Sequence, residues 1–235
     1  MARNSRPLTR RAGTAIEAET IVIVCEGVKT EEIYFNGIRK EYRLATARIN
    51  FIGLGADPLT VVRRAEELKS DYDHAWAVFD VESAGHHGQR HPSLEAAIAR
   101  ADRAGIRCAI SHPCFELWLI LHFRLHTAYL TNDKARSIAR DLPFDYDDKG
   151  FDFDKLWPYR ETALKNADQL DRRKRQDYPS MVDRNPWTSV HELVTRLLTI
   201  TGGADPGEAA QTQQNVGSPS RVGTDQARGR RHSGR

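Results

Sequence analysis

Cysteine is scarce in this chain. Its three residues, Cys25, Cys108 and Cys114, are an odd number in no CxxC spacing, which argues against both a disulfide framework and a zinc ribbon. Two of them sit in strongly apolar segments, as fits reduced thiols. Long apolar runs are missing as well. The longest, Leu117 to Leu121, spans five residues, against roughly 20 for a membrane-crossing helix. The opening Met-Ala-Arg-Asn-Ser-Arg lacks the apolar segment of a signal peptide. Together these absences predict a soluble, cytoplasmic protein with no membrane partner. The 235 residues are enough for one self-sufficient core with appendages.

Acidic residues are absent from residues 1 to 12, which carry four arginines, and nearly absent from 221 to 235, which carry five arginines against Asp225. Subtracting these nine bases and one acid from the chain's 35 and 32 leaves 26 against 31, a net charge of −5 for residues 13 to 220. The overall +3 therefore belongs to the tails. From Gly202 onward only Val216 and Val222 are sizeable apolar side chains, too little to offset an ordering entropy of about 1 to 2 kcal/mol per residue. Residues 1–18 and 202–235 are thus expected to be disordered arms. Their arginines could touch phosphates without specificity, though a solvated tail is the commoner explanation.

Between the arms the pattern alternates. Ile21 to Val24 is a β-branched run that stops at Cys25-Glu26-Gly27, as a buried parallel strand does on meeting a turn. Thr30 offers an N-cap to a helix over Glu31 to Leu44, with Glu31 and Glu32 where the helix dipole favours acids. A second strand, Ile49 to Leu54, precedes a helix opened by Asp57-Pro58. The third strand, Ala75 to Val81, ends in Asp80-Val81-Glu82-Ser83-Ala84-Gly85. Ser93 is placed to cap a helix with Leu94, Ala97, Ile98 and Ala101 on one face. The strand Arg107 to Ile110 then leads to a helix, Cys114 to Phe123, apolar nearly all round. This order predicts an α/β fold, a parallel sheet with helices on both faces (19–129). A helical extension follows (130–201). It contains an acidic loop (Asp145, Asp147, Asp148, Asp152, Asp154) and a final amphipathic helix starting near Asn185-Pro186.

Ligands of an open parallel sheet gather beyond the carboxyl ends of its strands. Two of those ends carry acids, Glu26 after the first strand and Asp80 with Glu82 after the third. If strand geometry persists, Asp80 and Glu82 point the same way and can share a hard cation. Oxygen-only ligands suit Mg2+ or Mn2+ beside a substrate phosphate. Acids also end strands simply because the loop beyond is wet, but Gly27 and Gly85 both follow closely and suit tight turns beside a bound group.

The segments Cys25 to Glu31 (CEGVKTE) and Asp80 to Gly85 (DVESAG) resemble the Toprim pattern, a glutamate-glycine motif followed by a DxD motif and a glycine. More narrowly, CEGVKTEEIYF from Cys25, SHPCFELWLILHF from Ser111 and NPWTSVHELVTRL from Asn185 resemble the RloB-like family over about Ile21 to Leu198. The resemblance implies a Toprim-like core, a metal-dependent nuclease acting on DNA or RNA in prokaryotic anti-phage abortive infection, and an ATPase partner encoded nearby. It makes Glu26 a general base or metal-linked acid and Asp80 with Glu82 the metal pair. The chain departs from the wider Toprim pattern in carrying Glu82 where Asp is usual, which moves the carboxylate by about one carbon–carbon bond. The same departure motivates an alternative, a catalytically weak nucleic-acid-binding or sensor subunit. His112 stands where the family usually has Asn.

Further candidates for substrate or supporting contacts are Gly27, Lys29, Gly85, Arg90 and Glu116. Glu116 opens an apolar helix, where the dipole could stabilise its charge or a second metal could use it. His122 in that helix reads as a satisfied core histidine. The loop His86 to His91 lacks the spacing of a zinc site and reads as a polar loop able to reach substrate. The run Asp171 to Arg175 is either a phosphate-backbone contact or a solvated face.

Overall fold

The computed structural model describes residues 19–44, 49–83, 88–147 and 149–200. The two expected basic arms lie outside these residues, as do Gly85, His86, His87 and Asp148.

Four strands are parallel, in the order β2-β1-β3-β4: β1 (Ile21–Cys25), β2 (Ile49–Gly53), β3 (His74–Asp80) and β4 (Arg107–His112). The helices α1 (Thr30–Glu41), α2 (Pro58–Leu68) and α3 (Leu94–Ala104) connect them. Alternation along the strands divides the core into two layers. Ile21, Ile23, Cys25, Trp76 and Val78 pack with Tyr34 and Phe35 of α1. Their neighbours Val22, Val24, Ala75, Ala77 and Phe79 pack with Val61, Val62 and Ala65 of α2 and with Leu94 and Ala97 of α3. Both faces are covered, which is why the strands read as continuous apolar runs.

The next helix, α4 (Glu116–Leu121), is buried at all six positions, as its all-round apolar sequence predicts. It joins the α1 layer, and the extension wraps that layer with α5 (Asn132–Arg140), α6 (Phe153–Leu156), α7 (Arg160–Asp177) and α8 (Val190–Ile200). Truncating a buried leucine such as Leu117 or Leu119 to alanine costs about 2 to 5 kcal/mol in such a core.

Three expectations need correction. Thr30 is the first helical residue of α1 and not its cap. Lys29 holds the cap position without a side-chain capping bond, and Glu31 accepts from the Gly27 N–H of the preceding turn at 3.2 Å. Ser93 makes no capping bond to α3 and instead donates its hydroxyl to Asp57 Oδ1 at 2.8 Å, joining the starts of α2 and α3. The last helix begins at Val190, because Trp187–Thr188 forms a short strand, β5, antiparallel to the end of β4. Two residues are too few to show an alternation in sequence; they pair because Ser189 N–H donates to the Ile110 carbonyl and the Ser189 hydroxyl accepts from Ile110 N–H, both at 2.9 Å.

Asn185 ties this segment to the start of the extension. Its amide donates to the Leu130 carbonyl and accepts from the Leu130 N–H, both at 2.8 Å and buried. Asn185→Ala is expected to leave both backbone groups unpaired and to cost roughly 2 to 4 kcal/mol, read as a lowered urea midpoint with unchanged slope.

Candidate functional site

Parallel pairing brings the ends of β1 and β3 side by side, with Cys25 opposite Val78. The chain leaves β1 at Glu26, whose N–H still donates to the Val78 carbonyl at 2.9 Å. The Glu26 side chain lies across the end of β3, where Oε2 accepts from the Asp80 N–H at 3.1 Å. Its other oxygen lies 2.8 Å from His91 Nε2. The first two predicted acids therefore do meet.

Two more acids join them. Glu31 is buried although it sits in the first turn of α1, because it belongs to that helix's inward face with Tyr34, Phe35 and Ile38. Gly27 makes room for it: a Cβ there would lie 1.9 Å from Glu31 Oε2. Gly53 at the end of β2 is equally constrained, since a Cβ would come within 2.8 Å of the Gly27 carbonyl. Glu116 enters from α4, buried, accepting a hydrogen bond from the Tyr146 hydroxyl, with Arg136 Nε 3.7 Å from the same oxygen. Glu26, Glu31, Asp80 and Glu116 all line one cleft of about 530 Å3, with Lys29, His91 and Arg136 on its walls.

The acids crowd one another. Burial raises the Asp80 carboxyl well above its ordinary range, and the charges of Glu26, Glu31 and Glu116 push it further. Burial, then the fields of Glu116 and Glu26, brings Glu31 up to about 7. Glu26 is also raised by burial, opposed by the Asp80 N–H and by His91. A group of buried oxygen donors short of positive charge calls for protons or a hard cation. Among the described residues no three His, Cys, Asp or Glu side chains are gathered as a ligand set. Mg2+ does not require one, since it usually keeps several waters and takes only one or two carboxylates. The donor chemistry fits Mg2+ or Mn2+, which Asp80 and Glu26 at the strand ends would hold.

The family model for RloB-like proteins matches residues 21–197, the sheet and nearly all of the extension. The chain belongs to the RloB-like protein family. No curated protein or solved structure matches it.

In this RloB-like protein the remaining sequence candidates are scattered. Glu82 does not share a direction with Asp80, because β3 ends there: Val81 N–H donates to Ser111 and Glu82 N–H to Pro113, at 2.9 and 3.3 Å. Its side chain is 2% exposed and lies beside His112, with Oε1 3.7 Å from Nε2, and it is not among the cleft residues. Burial raises its carboxyl, opposed by the Asn132 N–H. Burial likewise pushes His112 down to about 4, so that histidine is neutral at pH 7. Arg90 forms an ion pair with Asp183, and its backbone bridges Glu82. Gly27 and Lys29 line the cleft.

His122 is the satisfied core histidine expected, between Tyr34 Oη at 3.4 Å and the Trp118 carbonyl at 3.0 Å. The run Asp171 to Arg175 is largely occupied within the fold. Asp171 accepts from Trp187 Nε1 and Arg175 Nε, Lys174 donates to the Asn185 carbonyl, and Arg172 pairs with Asp168. Glu31, His91 and Arg136 went unassigned in the sequence. For Glu31 the signal was present, an acid on the i, i+3, i+4, i+7 stripe of an amphipathic helix; for His91 and Arg136 nothing local marks a residue that acts across the fold.

Proposed function

We propose that this RloB-like protein is a metal-dependent phosphodiesterase that cleaves nucleic acid, with the cleft beyond β1 and β3 as its active site. The observation that carries this reading is the convergence of four carboxylates, Glu31 and Glu116 buried and Glu26 and Asp80 partly buried, at the carboxyl end of a parallel sheet. Bound there, Mg2+ or Mn2+ would neutralise the scissile phosphate and acidify a water. Glu26 is placed to take the proton: the Asp80 N–H holds one of its oxygens and His91 Nε2 stands 2.8 Å from the other. Asp80 and Glu26 provide the ligands, and Glu116, fixed by Tyr146 and Arg136, completes the negative wall.

Through its Toprim-like motifs, the wider setting is prokaryotic anti-phage abortive infection, in the cytoplasm and beside an ATPase partner. Among the described residues no helix is long and apolar enough to cross a membrane, which accords with that setting. The test is incubation of the purified chain with labelled DNA and RNA in Mg2+ or Mn2+. Expected is cleavage that a chelator stops and that Glu26→Ala reduces about 100-fold or more. Equal cleavage by the native chain and the variant would remove the assignment. Glu82, turned away from the cleft, favours the second reading, a weakly catalytic nucleic-acid sensor. Calorimetry showing no Mg2+ or Mn2+ binding while oligonucleotide binding persists would select it.

A further inference from the structure

The carboxylate cleft does not end at Glu116. A second chamber of about 390 Å3 shares Lys29, Thr30, Glu116 and Arg136 with it, so the two are lobes of one groove. The new lobe is mixed in charge, with three cations beside three acids. Lys29 reaches it from the turn after β1, and Arg136 and Arg140 from α5. Arg136 and Arg140 are four apart and therefore lie on the same side of α5.

The lobe also holds the acids Asp133, Asp147 and Glu116. All three are engaged within the fold, with Asp147 Oδ1 closing its own turn by accepting from Lys149 and Gly150 N–H at 2.7 and 3.0 Å, and Glu116 accepting from Tyr146. Arg136, half-exposed, stands 3.7 Å from Glu116, longer than a hydrogen bond, at the junction between the lobes. A planar guanidinium at that junction suits bidentate recognition of a phosphate oxygen pair.

We infer that the Arg136–Arg140 lobe binds a phosphate of a nucleic-acid strand next to the one held at the carboxylates, so that the groove takes a polynucleotide and holds it in register. This rests on the phosphodiesterase reading for what happens at the carboxylates, but not for the binding itself. The helical extension thereby contributes to binding, since α5 supplies cations that the strand ends of the sheet lack.

The test uses the full chain and the Arg136→Ala/Arg140→Ala variant. Binding of a fluorescein-labelled single-stranded 12-mer is followed by anisotropy across a salt series, and cleavage of that oligonucleotide is compared with cleavage of bis(p-nitrophenyl) phosphate, which has no neighbouring phosphate. Expected is about a tenfold or greater loss of affinity and a salt slope smaller by about 1.4, the value for two contacts on a single strand. The loss in kcat/KM should be larger on the oligonucleotide than on the small diester and should lie in KM. Arg136→Lys with Arg140→Lys should restore the salt slope, which a merely structural role would not require.

Unchanged affinity and salt slope, or equal losses on both substrates, would overturn the inference. If the native chain binds the 12-mer and cleaves neither substrate, with the variant losing that binding, the phosphodiesterase reading fails and the phosphate lobe stands. If the native chain cleaves both and the variant binds as well as native, the reverse holds. If the double variant does not fold, exposed Arg140→Gln alone is measured, with a slope change of about half expected and no change overturning the assignment.

Discussion

At pH 8 in chelator the Asp80→Asn chain is expected to unfold at a higher temperature than the native chain, while in Mg2+ the phosphodiesterase activity proposed for the native chain should fall about 100-fold or more. Asp80 is surrounded by Glu26, Glu31 and Glu116, and its burial and their charges raise its carboxyl well above the ordinary range. The amide keeps the volume and can still accept a hydrogen bond, but it carries no charge to be repelled. Relief of about 2 kcal/mol corresponds to roughly 4 to 8 °C for a domain of this size. The same substitution removes a ligand, so the rise in melting temperature that Mg2+ gives the native chain should shrink or vanish. A variant less stable than native in chelator, with Mg2+ stabilisation intact, would show that Asp80 is not the centre of the charge cluster. Opposite signs for stability and activity are the signature of a site assembled against its own electrostatics.

The metal-free native chain is expected to lose stability as pH rises from 6.5 to 8.5, while below pH 6.5 two sets of buried groups oppose each other. On the alkaline side the carboxylates decide. A carboxyl whose folded-state pKa is raised gives its full stability below the unfolded value and loses it as pH rises through the folded one. Glu31 moves from 4.5 to about 7, so its loss begins near pH 4.5 and levels off above 7. Between pH 6.5 and 8.5 it accounts for about 1 kcal/mol, and Asp80 and Glu26 act in the same direction. On the acid side the buried histidines oppose the carboxylates. Burial lowers His112 and His122 from 6.5 to about 4, so between those values the unfolded chain binds more protons and stability falls with falling pH. From pH 6.5 to 5 the pair loses about 3 kcal/mol, which opposes what Glu31, Asp80 and Glu26 regain over the same range. Millimolar Mg2+ should flatten the alkaline limb and leave the acid limb in place, because protons displace the ion from the carboxylates as pH falls. Calorimetric scans from pH 5 to 8.5, with chelator and with Mg2+, read both limbs. A chelated protein whose stability rises steadily to pH 8.5 would contradict the carboxylate cluster.

Local chemistry determined much of this protein in advance. The apolar runs ending at Cys25 and Phe79 specify buried parallel strands, Asp57-Pro58 specifies a helix start with its cap, and the all-round apolar character of Leu117 to Leu121 specifies a central helix. Each follows from a period or a cap that acts within a few residues. Glu26 and Asp80 were legible for the same reason, as acids where a strand stops. Where each carboxylate points was decided by tertiary structure. Asp80 and Glu82 are two apart and would share a face on a continuing strand, but hydrogen bonds to Ser111 and Pro113 turn the chain and leave Glu82 beside His112. Glu31 and Glu116 reach the cleft because α1 and α4 pack in one layer against the sheet, and His91 and Arg136 arrive from segments 65 residues beyond Glu26 and 20 beyond Glu116. The sequence alone determined which strands end in acid; only packing determined which acids face each other, because like charges are brought together by the burial of their apolar neighbours and not by any attraction of their own.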